Sequence, residues 1–306
     1  MRAIQGAGLH LEGLRQLIPI VTVWLVSQQA GVLESTPSVK PVDDPLKHRG
    51  NWGVKLSVLV PAYNERDLLP RILARVVGVL PKVPKQIIVV DDCSTDGTRA
   101  WLMEAIGDQP RAARRDANGI LCFDNIDPAG AEVMIKAFYH THNQGKGAAL
   151  RTALRAADGD VFVIQDADLE YDPADWERFW PLFTGNVADV VYGTRFSSQP
   201  HRCLYFHHYL ANWFISLLFS ILYNQILSDL EVCYKMFRRE VRDLLTLRSN
   251  DFGFEIEFSA NIARARGLRI YELGISYYGR TYAEGKKINW KDGVKAIWYL
   301  VRFRFA

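Results

Sequence analysis

A chain of 306 residues is long enough for one large α/β domain with appendages. An apolar fraction of 49% and a charged fraction of 23% are ordinary for a globular protein, and a net charge of +3 is too small to argue for nucleic acid, so no nucleic-acid partner is expected. The four cysteines, Cys93, Cys122, Cys203 and Cys233, are scattered without metal-like pairing or a dense disulfide pattern, which fits reduced thiols in a cytosolic compartment.

In chain order, residues 17–26 form an apolar run with Pro19 inside and Arg15 just before it. The run is too short to span a bilayer, which takes about 20 apolar residues. A surface-lying or disordered extension, a signal or anchor, and a buried helix are all open readings of it. Residues 34–52 are Pro-rich and polar and read as a linker, so the folded domain is expected from Val54. From there apolar runs predict strands over 56–60, 86–90, 132–139, 161–165 and 189–192. Helical spacing and helix-start signals predict helices over 67–80, 96–106 and 147–157, and another opening at Asp172-Pro173. Residues 108–130 read as a solvated insertion without periodicity, and there is no internal repeat. Repeated β-α units of this length imply an α/β fold with a mainly parallel sheet and helices on both faces.

The strand ends carry the chemistry. The run 161–165 stops on Asp166-Ala167-Asp168-Leu169-Glu170. In open α/β sheets ligands bind beyond the carboxyl ends of the strands, and two carboxylates held together repel unless a cation lies between them. Mg2+ or Mn2+ bridged to a diphosphate is the natural neutraliser. Alone, Asp-x-Asp is also what any surface turn can hold. However, the first strand ends in Pro61-Ala62-Tyr63-Asn64-Glu65 and the second in Asp91-Asp92-Cys93-Ser94-Thr95-Asp96-Gly97-Thr98. Three acidic strand ends would converge on one cleft with the equipment a nucleotide-sugar needs: a flat side chain, carboxylates for ring N–H groups and hydroxyls, and a metal for the diphosphate. Asp96-Gly97 is also a turn former and a cap. Asn143-Gln144-Gly145-Lys146-Gly147 lacks the Walker spacing and reads as a loop entering a helix whose backbone packs close to the cleft, with Lys146 either a phosphate neighbour or a solvated lysine.

Pro-Ala-Tyr-Asn-Glu, Val-Asp-Asp-x-Ser-x-Asp-Gly-Thr, Asn-x-Gly-Lys-Gly and Asp-Ala-Asp-Leu together resemble glycosyltransferase family 2, which has the GT-A, Rossmann-like fold. Over about residues 54–290 the chain looks like the dolichol-phosphate and polyprenol-phosphate mannose and glucose synthases. The resemblance implies that Pro61, Tyr63, Glu65, Val90 and Asp92 hold the nucleoside, with Ala167 on the nucleotide side. It implies that Asp166 and Asp168 hold the metal and diphosphate, with Glu170 a further ligand. Many relatives have Gly where this chain has Cys93, and a turn needing positive φ there would be strained. The family pattern does not explain the N-terminal extension.

The second half supplies cations. Arg195 follows the fifth strand, Arg202 lies just beyond, and Arg280-Thr281-Tyr282-Ala283-Glu284-Gly285-Lys286 comes near the end. In the resembling synthases such positions meet donor and acceptor phosphates, which makes Asp168, Arg195, Arg280 and Lys286 the expected catalytic set and Arg202 an acceptor-phosphate contact. Arg suits bidentate phosphate binding and Lys supplies a point charge. A lipid phosphate needs no general base, because its second pKa of about 6 leaves it largely dianionic at neutral pH. Its oxygen would attack the anomeric carbon in line, with the inversion that the resemblance implies. A hydroxyl acceptor would need a carboxylate base, for which Asp229, Glu231, Glu255 and Glu257 are candidates, each with a structural reading as a cap or ion-pair partner. A non-catalytic nucleotide-sugar-binding subunit is the third reading.

Residues 204–227 are strongly apolar, with polar residues at 208, 212, 216 and 220 recurring every four, which predicts an amphipathic rather than a spanning helix. A metal site at His207-His208 is disfavoured, because adjacent helical residues face apart. Residues 290–305 mix aromatics with Lys and Arg, as a helix lying on an anionic bilayer does, or as an amphipathic packing helix does. The expected organisation is an extension and linker over 1–52, a nucleotide-sugar-binding core over 53–200, and an acceptor-side, membrane-proximal segment over 201–306, peripheral on the cytosolic face of a membrane.

Overall fold

The computed structural model describes residues 54–124, 132–197, 200, 202, 205–281 and 290–305, excepting the side chains of 124 and 290–292. The expectations for residues 1–52 and for Lys286 lie outside these described residues. The described strands are β1 (Leu56–Ala62), β2 (Lys85–Asp91), β3 (Arg111–Arg115), β4 (Leu121–Asp124), β5 (Val133–Tyr139), β6 (Val161–Ile164), β7 (Val190–Thr194), β8 (Lys235–Arg238) and β9 (Ile270–Gly274). The helices are α1 (Leu69–Gly78), α2 (Thr98–Ala105), α3 (Lys146–Ala156), α4 (Trp176–Thr184), α5 (Phe206–Tyr223), α6 (Arg239–Leu244), α7 (Gly253–Arg264) and α8 (Trp290–Phe305).

The strands form a nine-stranded sheet in the order β4-β3-β5-β2-β1-β6-β8-β7-β9. Its centre, β5-β2-β1-β6, is parallel as expected, with Leu56 beside Lys85 on one side and Val161 on the other. Leu56 through Val60 are all buried, as a strand covered on both faces requires. α1 buries Leu69, Ile72, Leu73, Val76 and Val77, the i, i+3, i+4 stripe read from the sequence. Strand order reverses at β1, with β2 and β5 to one side and β6 to the other, so a crevice opens at the carboxyl ends of β1 and β6.

The flanks depart from the expectation. β8 runs antiparallel to both β6 and β7, which makes the sheet mixed. The 108–130 insertion holds the antiparallel hairpin β3–β4, and β3 extends the sheet antiparallel to β5. Its signal was hidden because Ala112 and Ala113 are both buried and Arg114 and Arg115 both exposed, a pairing rather than an alternation. Such charges on an edge hairpin also discourage pairing with another chain. Asp172 caps a short 3-10 turn by accepting from Ala174 N, and α4 begins only at Trp176.

Two glycines bring α3 to the site. A Cβ on Gly145, whose φ is 92°, would meet Asn250 O at 2.4 Å, and one on Gly147 would meet Ser249 O at 2.3 Å. The helix start therefore presses backbone to backbone on the 249–250 loop, joined by Gly147 N donating to Asn250 O at 2.8 Å.

Candidate active site

The loops leaving β1, β2 and β6 line a cleft of about 730 Å³. Each carries a non-glycine residue with positive φ: Asn64 at 56°, Cys93 at 64° and Leu169 at 60°. Side-chain bonds knit the loops together. Asn64 N donates to Ser94 Oγ, Thr95 N to Asn64 Oδ1, and Glu65 N to Thr98 Oγ1. Backbone strain of this kind persists where surrounding bonds over-determine it, and it clusters at functional sites.

Pro61, Ala62, Tyr63, Glu65, Asp92, Asp166, Ala167 and Asp168 all line this cleft, with Tyr63 exposed at its rim. Val90 is the exception among the expected nucleoside contacts. It is fully buried in the core and does not line the cleft, being one of five consecutive buried β2 residues, 87–91. Asp92 is nearly buried, and its oxygens accept from Gln144 N at 2.9 Å and Gly145 N at 2.7 Å and face His140 Nδ1 at 2.7 Å. Asp92 thereby pins the loop that starts α3. Nothing in the sequence marked His140 for this.

Each carboxylate of the acid pair carries an internal cation. Lys146 Nζ lies 2.8 Å from Asp166 Oδ1, and Arg280 Nη2 donates to Asp168 Oδ2 at 2.6 Å. Arg280 also gives Nε to Glu170 at 2.9 Å and lies 3.6 Å from Glu65. Burial, followed by the charges of Asp166 and Glu170, pushes the Asp168 carboxyl up to about 7 against the pull of Arg280. Burial opposes the Lys146 charge, but Asp166, Cys233 and Glu255 hold its pKa well above the ordinary value.

Two crowded, half-buried carboxylates with only oxygen donors fit a hard divalent cation, which takes one or two protein carboxylates and completes its shell with substrate phosphates and water. No group of three or more His, Cys, Asp or Glu side chains among the described residues could hold a metal alone. Glu170, expected as a third ligand, faces Arg280 and accepts from the Tyr277 hydroxyl at 3.2 Å.

Arg195 lines the cleft from the end of β7, held by a bidentate pair with Asp229 at 2.7 and 2.6 Å and lying 5.5 Å from the Tyr277 ring centre. This removes Asp229 from the candidate bases. It is fully buried, accepts from Arg195 and does not line the cleft. Glu257 is removed likewise, since it accepts from Arg248 N and Ser249 N behind the 249–250 loop. Glu231 and Glu255 do line the cleft, but Glu255 pairs with the buried Lys235. Arg202 lines the cleft near its mouth, donating from its backbone to Tyr277 O and from Nη1 to Gly279 O. The rings of His207 and His208 lie 4.4 Å apart beside Tyr205, closer than helical geometry had suggested. The aromatic wall of Tyr171, Tyr277 and Tyr299 was missed; the Ser-Tyr-Tyr-Gly run just ahead of Arg280 was its one visible trace.

A parallel core ending in an acid pair, extended by a mixed flank that returns cations to the same cleft, is the build of a GT-A glycosyltransferase. The chain belongs to glycosyl transferase family 2, whose model matches residues 57–120 and 127–245. It is therefore a transferase. An undecaprenyl-phosphate mannosyltransferase of Micrococcus luteus is 27% identical over 240 residues, 76% of this chain and 87% of that protein. A dolichol-phosphate mannosyltransferase of Pyrococcus furiosus is 27% identical over 143 residues, 47% of this chain but only 34% of that protein. Among solved structures, glucosyl-3-phosphoglycerate synthase from Mycobacterium tuberculosis, crystallised with Mn2+, uridine diphosphate and phosphoglyceric acid, is similar with a TM-score of 0.56. The match covers 82% of this chain and 79% of that one at 19% identity, a likeness of fold alone.

Proposed function

We propose that this protein moves a sugar from a nucleoside-diphosphate sugar, of the GDP-mannose or UDP-glucose type, to a polyprenyl or dolichyl phosphate, with inversion and with Mg2+ or Mn2+ at Asp166 and Asp168. One observation carries the reading: a single cleft runs from the acid pair, past Arg195 and Arg202, to Tyr205 and to Phe206 and Tyr209 of α5, a helix that leaves a row of large apolar side chains exposed. Two phosphate-bearing substrates and an apolar tail need that sequence of surfaces. The printed names of the Micrococcus and Pyrococcus relatives support it.

In this reading Pro61, Tyr63, Glu65, Asp92 and Ala167 take the nucleoside end. The bound cation would offset diphosphate charge and assist its departure. Arg195, Arg202 and Arg280 draw in and orient the anions, with Lys286 expected to join them. An acceptor phosphate oxygen forms the new bond to the anomeric carbon as the bond to the diphosphate breaks, and the nucleoside diphosphate leaves with that electron pair. The acceptor is already an anion, so no side chain has to abstract a proton.

Membrane contact belongs to the same proposal. Phe206, Leu210, Trp213, Phe214, Leu217 and Ile221 of α5 are exposed, and so are Val294, Trp298, Val301 and Phe305 of α8, which packs against α5. Lys295, Arg302 and Arg304 give α8 the charge that anionic lipid attracts. No helix among the described residues is long and apolar enough to cross a membrane. The free thiols Cys93, Cys122 and Cys233 fit a cytosolic-face location.

The test is transfer of radiolabelled sugar from GDP-mannose or UDP-glucose to undecaprenyl or dolichyl phosphate in detergent, read as organic-extractable counts. Asp168→Asn is expected to lower turnover by about 10²–10³-fold, the scale of removing one electrostatic stabiliser. Turnover only with a glycan hydroxyl, or donor binding without transfer to either acceptor, would overturn the proposal.

A further inference from the structure

Lys146 occupies an odd place for a half-buried cation at a cleft wall. It is the first residue of α3, where the helix dipole disfavours positive charge. Its ammonium, 2.8 Å from Asp166 Oδ1, also lies 3.5 Å from Glu255 Oε1. Glu255 belongs to the first turn of α7 and is almost wholly buried. Its other oxygen, Oε2, accepts from Lys235 Nζ, which also donates to Val232 O. Oε1 itself accepts no hydrogen bond from any described residue. A buried carboxylate oxygen without a donor is costly, and a distance of 3.5 Å is just beyond hydrogen-bond range. The third neighbour of the ammonium, the Cys233 thiol, stays protonated, because burial and then Asp166 push its pKa well above the ordinary value. It therefore supplies no balancing charge. One ammonium thus stands between two carboxylate seats, bonded to one and a fraction of an ångström short of the other.

We propose that Lys146 is the resident counter-ion of Asp166, and that it gives up this carboxylate and closes onto Glu255 Oε1 when a divalent cation binds Asp166. The inference rests on the metal reading of the acid pair. An ammonium and a divalent cation on one carboxylate repel, and an ammonium largely withdrawn from water is costly to leave without a charge partner. Glu255 removes that conflict from within the fold. Its orphan oxygen gains a donor, Lys146 keeps a charge partner, and Asp166 is freed for the metal. Glu255 and Lys146 are then positioning residues, with metal affinity as their readout.

The experiment is calorimetric titration of MnCl2 into the full chain without substrates, with circular dichroism on each variant to check the fold. Lys146→Met removes the competitor and is expected to tighten Mn2+ binding about tenfold, the scale of one charge-assisted hydrogen bond. Glu255→Gln removes the second charged seat, leaves Lys146 on Asp166 and is expected to weaken Mn2+ binding by a similar factor. In the double variant the Glu255→Gln penalty should vanish, which a merely structural Glu255 would not produce. Should Lys146→Met lose its fold, Glu255→Gln carries the test alone, and unchanged or tighter binding there overturns the inference. Wild-type binding of Mn2+ with a folded Lys146→Met variant no tighter overturns the exchange and leaves the metal reading standing. If the wild type binds no Mn2+, both fall together.

Discussion

Cys93 holds its backbone at φ 64°, in the left-handed region that crowds the Cβ of an L-residue. Its sulfur gains only a long contact of 3.7 Å to Thr141 O. The conformation costs a non-glycine residue about 1–2 kcal/mol, and glycine offsets about 0.5–1 kcal/mol of that advantage through its freer unfolded chain. Cys93→Gly is therefore expected to raise stability by about 0.5–1 kcal/mol in urea unfolding, at an unchanged m-value. A loss of stability would show that the thiol contributes more than its geometry suggests. Leu169, at φ 60°, is held differently. Asp168 Oδ1 accepts from Glu170 N at 3.1 Å, so the carboxylate expected at the metal also braces the turn that presents it. Arg195 shows how a cation is kept at a cleft wall, because the bidentate pair with buried Asp229 fixes its plane.

α5 reverses the usual sense of an amphipathic helix. Its polar residues Asn212 and Ser216 face the protein, where Asn212 Nδ2 donates to Ser228 O and Ser216 Oγ accepts from Leu230 N. Ile215 and Phe219 are buried beside them, while Phe206, Leu210, Trp213, Phe214, Leu217 and Ile221 face out. An exposed apolar surface of this kind marks an interaction site. Replacing Trp213 and Leu217 with Glu is expected to abolish sedimentation with anionic vesicles while changing unfolding free energy by no more than about 0.5 kcal/mol per site, as surface substitutions do. Vesicle binding that survives the double change would mean that α5 is not the docking face. The four-residue polar period was legible in the sequence, but periodicity gives only the angle between faces, and the burial of Asn212 and Ser216 decides which one is inside. The central β-α units were legible for a firmer reason, since their apolar runs are buried on both sides. β3 and β8 were not, because β3 is Arg-rich and β8 begins with the fully buried Lys235, whose charge is matched by the distant Glu255.

At the scale of the whole molecule, the sheet delivers acids from its parallel centre and arginines from the segments after β6, with Lys146 arriving from the start of α3. Arg280 ties the two sets together, reaching Asp168, Glu170 and Glu65. Sequence reading could place both sets at one cleft, because strand ends give the positions of the acids and Arg195, and the family resemblance implies that of Arg280. It could not show that they neutralise one another before any substrate arrives, since that depends on distances across 112 residues of chain. The consequence is a linkage between ligand and stability. The Mn2+ complex of a nucleoside diphosphate, taken as one ligand at about 100 times its dissociation constant, is expected to contribute about 2.7 kcal/mol, or about 4 °C in Tm for a chain of this size. EDTA should cancel the metal-dependent part. Arg280→Met leaves Glu65, Asp168 and Glu170 without their shared guanidinium, so its Tm alone should fall below wild type, while Mn2+ alone should raise it by more than it raises wild type, the cation now relieving a repulsion that Arg280 otherwise screens. Scanning fluorimetry of both proteins, with Mn2+ and then EDTA, measures the difference. An equal Mn2+ shift in the two would show that Arg280 and the cation act on separate charges.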